Sequence, residues 1–296
     1  MYIIMTLIPL LALGCTVDHK NNEPDNTNEP ENAPVETNDT AEEEIDYSID
    51  LNPTDAEIEY LNHWLDEQEE FVASLKWLPH YIHEQGELGI CLRFEFENEQ
   101  TVDGDMIEDL RHTIEARVWE WQRGLIGEEN WIHDTVTPVR LFGIGVTPQV
   151  TLFNAPDVPV YENESAECPN ECFRFTFKYD EAPTYADCEH PSLSHFDFNI
   201  WYSDFPFGAA GHGGDWGTRL DWELMLEEVY DDTPTVTDHE LGHVAGLPDV
   251  YNYPFTLNGF DRPDAIMSTN ETLQPFDYLM LRKVWELGWA QHYSEE

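Results

Sequence analysis

The stretch 237–251, TDHELGHVAGLPDVY, gathers two imidazoles and three carboxylates into one short run. His239 and His243 are four residues apart, so on a helix their rings project from one face and a single ion can take a nitrogen from each. Glu240 stands one step round from His239. Its carboxylate is badly placed to ligate the same ion but well placed to reach a water held there. Two ligands and a general base on one helix is the chemistry of an H-E-x-x-H motif. A catalytic zinc needs a third protein ligand and an open position. Gly246 follows His243 by three residues, where it can end the helix in a left-handed conformation. The chain then folds back and brings Asp249 towards the ion. An Asp ligand leaves the centre with a net single charge, so more of the deprotonation of water falls on Glu240.

The full pattern, His239-Glu-Leu-Gly-His243-Val-Ala-Gly246-Leu-Pro-Asp249, resembles the metzincin signature H-E-x-x-H-x-x-G-x-x-H with Asp in the last place. The Asp form, with GLPD and a following Tyr, is similar to the immune-inhibitor-A-like bacterial metallopeptidases; here GLPDVY occupies 246–251. DAIMST at 264–269 resembles the metzincin Met-turn with Met267 as its methionine, and ELGW at 286–289 is similar to the same peptidases. The likeness is carried by about the last sixty residues. It implies an α+β, zincin-like catalytic domain with a mixed twisted sheet, an active-site helix and a C-terminal helical subdomain. It also implies one catalytic zinc on His239, His243 and Asp249, with Glu240 as the base. The expected activity is hydrolysis of protein or peptide by an endopeptidase. Several metzincins place a tyrosine two residues after the methionine; Thr269 stands there, so no tyrosine is assigned and the oxyanion donor is unidentified.

Elements able to position these residues are visible upstream. TDAE at 54–57 is a capping box, and Ile58, Leu61, Leu65, Val72 and Leu75 recur at helical spacing before Pro79. Ile90, Leu92, Phe94 and Phe96 alternate as on a half-buried strand. Ile107, Leu110, Ile114, Val118 and Trp121 predict a helix that Gly124 stops. Further strands are expected in PVRLFGIGV (138–146), CFRFTFKY (172–179) and FDFNIWY (196–202). FGAAGHGGDWG (207–217) reads as a Gly-rich surface turn. Its alternatives are that His212 or Asp215 overhangs the cleft, or that it binds calcium, for which no ligand set speaks. A helix follows at 219–230. The histidine helix starts with Thr233 as cap and Pro234 in its first turn, and a last helix from Pro275 ends at Gly288. His190, His195 and His292 are expected to be solvent-facing or satisfied in the core.

The chain of 296 residues has 61 acidic and 13 basic side chains, a net charge of −48. Such a surface repels nucleic acid, which is set aside as a partner. Residues 1–15 form an apolar run ending in LALGC. The run is too short to span a bilayer and fits a signal peptide. Its end resembles the lipobox of bacterial lipoproteins, which makes Cys15 a lipidation site; an ordinary signal peptide cut nearby is the alternative. Residues 16–52 are rich in Asp, Glu, Asn and Pro and read as a disordered acidic tether, leaving 53–296 as the folded domain. Cys91, Cys168, Cys172 and Cys188 allow up to two disulfides in three pairings. Cys168 and Cys172 are weaker candidates for a metal site. The expected location is extracytoplasmic, anchored to the outer membrane or cell surface through lipid, or otherwise secreted. A monomer is expected, touching membrane only through its anchor. A second reading is a surface lipoprotein that binds a partner and carries a structural or inactive metal site; a third is an amidase acting on cell-wall peptide.

Overall fold

A computed structural model describes residue 49 and residues 51–293, except 175–184, 186, 191–192, 194, 205–209, 231–232 and 252–262. Cys15, nearly all of the tether and most of the strand expected over 172–179 lie outside the described residues. Residues 46–296 form one compact unit. It is an α+β arrangement of a mixed, twisted sheet with six α-helices among the described residues. None of these helices is long and apolar enough to cross a membrane.

The first helix, α1 (Asp55–Ser74), begins as its capping box requires. The Glu57 N–H donates to Thr54 Oγ1 at 3.2 Å, and the Thr54 N–H donates to Glu57 Oε2 at 2.7 Å. Helix α2 (Leu78–Gln85) follows and leads into β1 (Leu88–Glu95). Next come β2 (Gln100–Asp103) and α3 (Gly104–Arg123), which carries the expected apolar stripe. Gly124 closes α3 in a right-handed conformation, not the left-handed one of a glycine stop. What it needs there is room, since a Cβ would sit 2.4 Å from the Tyr278 ring.

The main sheet adds β3 (Val139–Val146), β5 (Val160–Glu162), β6 (Phe198–Ser203), β7 (Gly211–Gly214) and β8 (Gly217–Asp221) to β1, in the order β5-β3-β1-β6-β8-β7. Strand β4 (Val150–Phe153) pairs with β2 in a separate two-stranded ribbon. All pairings in the main sheet are parallel except β7 with β8. A central parallel strand is covered on both faces, and β1 is buried along seven of its eight residues. The half-buried expectation for this strand is therefore corrected.

The two faces differ in character. Leu88, Ile90, Leu92 and Phe94 join the large core with Val118, Trp121, Leu241 and Val244 of the helices. The other face carries a smaller cluster of Cys91, Phe142, Phe173 and Phe196 with Cys168 and Cys172. Two disulfides, Cys91–Cys168 and Cys172–Cys188, staple it, which settles the pairing and removes Cys168 and Cys172 as metal ligands. Further along that face, cross-strand neighbours Arg93, Trp201 and Arg219 form a row. Both guanidiniums lie 4.0 Å from the indole centroid, an attraction between cation and ring quadrupole.

Helix α4 (Trp222–Glu228) precedes the histidine helix α5 (Thr235–Val244), and α6 (Pro275–His292) closes the described chain. Helix α6 packs against α1, with Phe276 edge-on to Tyr60, and against α2. It does not stop at Gly288. A Cβ there would lie 1.9 Å from Nε2 of the buried His80, so this glycine permits close approach of α6 and α2. In an open helix Gly→Ala stabilises by about 1 kcal/mol. Here the overlap wins, and Gly288→Ala is expected to lower stability by about 2 kcal/mol, read from the midpoint of urea unfolding. A gain in stability would show that the two helices do not meet this closely.

Candidate metal centre

Helix α5 lacks the Thr233 cap expected for it; Pro234 occupies the cap position and offers no side-chain bond. The carboxylate of Glu228 takes that role from the end of α4. It accepts from the Val236 N–H at 2.6 Å, and from the Thr237 N–H and Oγ1 at 3.0 Å each. A negative group among the free N–H donors also suits the helix dipole.

At its other end the helix closes on Gly246, with φ +92°. The Leu247 N–H reaches back to the Gly242 carbonyl at 2.9 Å and the Gly246 N–H to the His243 carbonyl at 3.0 Å. This pair of bonds is a Schellman motif. The reversal it creates carries Asp249 to the histidines, as the sequence predicts. Asp249 Oδ1 lies 3.0 Å from His239 Nε2 and 3.3 Å from His243 Nε2. Among the described residues these three side chains are the group whose ligand atoms converge, all within 4.8 Å of one another. His212 and Asp215 are not part of it.

The tautomers are set by the backbone. His239 Nδ1 lies 2.8 Å from the Ile266 carbonyl, and His243 Nδ1 lies 2.7 Å from the Leu247 carbonyl. A carbonyl only accepts, so each Nδ1 carries the hydrogen and each Nε2 of a neutral ring presents a lone pair inward. Asp249 adds a third acceptor. The His239 ring is pushed up despite its burial, by the Asp249 and Ile266 hydrogen bonds. Burial favours the neutral Asp249 carboxyl, yet the two histidines outweigh it and hold that group far below the ordinary carboxylate range.

Glu240 is buried, and burial pushes its carboxyl up against the opposing pull of His243 and His239. Its Oε2 has no hydrogen-bond partner and sits 3.9 Å from His243 Nε2. The strand above it explains how a carboxylate fits there. The described part of the stretch read as a Gly-rich surface turn, from residue 210 onwards, is in fact β7 and its hairpin to β8, packed on α5. A Cβ on Gly211 would lie 2.6 Å from Glu240 Oε1, and one on Gly213 would lie 2.5 Å from the Glu240 carbonyl. Glycine is disfavoured in strands, which hides this strand in the sequence, but no other residue clears Glu240. His212 is exposed, with its ring 5.9 Å from that of Trp216. The lone histidines are structural: His190, for one, stacks on Phe142 at 4.1 Å and bonds its carbonyl.

Two residues join the site that sequence reasoning did not assign. Tyr251 stacks on His239 with centroids 6.1 Å apart. Burial and the neighbouring Asp249, to which it hydrogen-bonds, push its phenol up to about 12. Its position two residues past Asp249 was the available signal. Asp277 is fully buried in the first turn of α6. It accepts from the Gln274 and Ile266 N–H groups at 2.8 Å and from the Met267 N–H at 3.3 Å. One carboxylate thus fixes the start of α6 and the turn whose Ile266 carbonyl orients His239. Met267 is buried beneath α5, where a Cβ on Gly242 would meet its sulfur at 2.2 Å. The Val250 N–H bonds the Met267 carbonyl at 2.7 Å, tying the ligand loop to the same turn.

Comparison with protein-family models finds no match, and comparison with curated proteins finds none either. The chemistry of the centre therefore rests on its own geometry.

Burial pushes the Asp277 carboxyl from 3.8 up to about 6, against three N–H donors that favour its charge. A raised folded-state pKa contributes stability below pH 3.8 that is lost as pH rises through about 6. Relative to Asp277→Asn, which does not titrate, the wild type should lose about 3 kcal/mol across that window. Paired denaturant titrations at several pH values measure this; a pH-independent difference would contradict it.

Proposed function

We propose that this protein is a zinc-dependent endopeptidase. The observation that carries the reading is the convergence of three lone pairs, from His239, His243 and Asp249, beside a Glu240 carboxylate whose Oε2 has no hydrogen-bond partner. Two imidazoles and one carboxylate suit zinc better than calcium or magnesium, which prefer all-oxygen sites. A zinc ion held by these residues supplies Lewis acidity, polarising a peptide carbonyl and acidifying water. The chain supplies the rest.

Glu240 takes the proton from the attacking water on its free Oε2 and passes it to the departing amine, so one carboxylate serves as base and then as acid. Its burial strengthens it for the first task. The Tyr251 hydroxyl stays protonated throughout the working range and is a candidate donor to developing charge on the carbonyl oxygen. Asp277 and Met267 act as positioning residues, through the turn that orients His239. No acyl-enzyme is required, and no nucleophilic Ser or Cys is invoked.

Two disulfides agree with an oxidising, extracytoplasmic setting. With the lipobox-like Cys15, this supports a secreted peptidase tethered through lipid. The expected substrates are proteins or peptides outside the cell.

The test is Glu240→Gln in the zinc-loaded full chain, assayed on an unfolded protein. Zinc stoichiometry should stay at one per chain, because the ligands are untouched. Cleavage should fall by about three orders of magnitude or more. Retained cleavage would remove Glu240 as the base. A wild type that binds zinc and cuts nothing would move the partner-binding lipoprotein to the front.

A further inference from the structure

A pocket of about 430 Å³ opens beside Glu240, between the first turns of α5 and the chain that follows Met267. Its lining is polar in an uneven way. Ser268 is 7% exposed, and its Oγ is buried without a hydrogen-bond partner. A buried hydroxyl with no partner is a group that a bound molecule can satisfy. Neighbouring polar groups are already engaged. Asn270 bonds Asp264 through its amide nitrogen and accepts the Glu271 N–H at 2.7 Å through its oxygen. Thr235 Oγ1 donates to the Glu271 carbonyl at 2.9 Å, which anchors the backbone of Glu271 against the start of α5. Among the described residues the Glu271 carboxylate has no cationic partner, and none of those lining the pocket is Lys or Arg.

We propose that this pocket selects substrates by a basic side chain, lysine or arginine, whose stem lies along Val236 and Ile266 and whose cation meets Glu271 and Ser268. The proposal rests on the peptidase reading for its setting, since it places the basic residue next to the bond being cut. Ser268 accepts a hydrogen bond from the cation and Glu271 supplies the opposite charge. An acidic side chain meets Glu271 and Glu240 with like charge and is rejected. An aliphatic one leaves both polar groups unsatisfied. The field of the whole chain acts in the same direction: a net charge of −48 draws cationic peptides towards the surface before the pocket is reached.

The test uses the full chain loaded with zinc and three peptides that differ at one position, carrying lysine, norleucine or glutamate. Affinity is measured by calorimetry in the Glu240→Gln background, so turnover plays no part. Cleavage of the same peptides is measured with the wild type. The lysine peptide should bind about tenfold tighter than the norleucine peptide, with glutamate weakest. Adding Glu271→Gln should erase most of that preference. Ser268→Ala should reduce it by a few-fold. Equal affinities, or a lysine preference that survives Glu271→Gln, overturn the proposal. The two readings separate cleanly. Preferential lysine binding with no cleavage keeps the pocket and sinks the peptidase; cleavage without any preference does the reverse.

Discussion

Two imidazole N–H groups donating to backbone carbonyls constrain the centre more than any other contact. With Nδ1 of His239 committed to Ile266 and Nδ1 of His243 committed to Leu247, both Nε2 lone pairs face the Asp249 carboxylate. Three acceptors then share one small volume, which is unfavourable unless a proton or a metal cation lies among them. Each supporting feature protects that constraint. The Schellman turn at Gly246 brings the Leu247 carbonyl under His243. Asp277 pins the turn that offers the Ile266 carbonyl. Glu228 secures the start of the helix that bears both rings. A change at any of these acts on the His239, His243 and Asp249 group through the orientation of a histidine.

The sheet serves the centre from its edge. Its interior strands are parallel and covered on both faces, so they form a stiff platform. One face is a deep core continuous with α3, α5 and α6. The other has a small cluster held by two disulfides, next to a row of Arg93, Trp201 and Arg219. Only the last strand, β7, runs antiparallel, and it is the strand that lies on Glu240. Its glycines exchange strand propensity for nearness. The Glu240 carboxylate consequently sits in a buried, narrow space with one oxygen unpartnered, the condition in which a carboxylate binds protons more readily than it does in water.

The site was more legible than the framework around it. Residue type and spacing alone place His239, Glu240, His243, Gly246 and Asp249, because helix period and a left-handed glycine are local physics. Asp277 lies 28 residues beyond Asp249 by sequence number, and nothing local marks an acid in a first helical turn as more than a dipole partner. The long helices and the strands β1, β3 and β6 are also readable, since their apolar periods are strong. Strand β7 escapes because GHGG has neither alternation nor β-branched residues. Thr233, Gly124 and Gly288 mislead for a shared reason: capping rules describe local geometry. Here a distant carboxylate, a tyrosine ring and a buried histidine decide what each position does.

The most direct test of the metal centre is X-ray absorption at the zinc edge of the full chain loaded with one equivalent of zinc. The geometry predicts a first shell of nitrogen and oxygen donors with two imidazole signatures, and the loss of one of those signatures in His243→Ala. Sulfur in that shell, or a spectrum unchanged by His243→Ala, would show that the metal binds elsewhere and that His239, His243 and Asp249 are not its ligands.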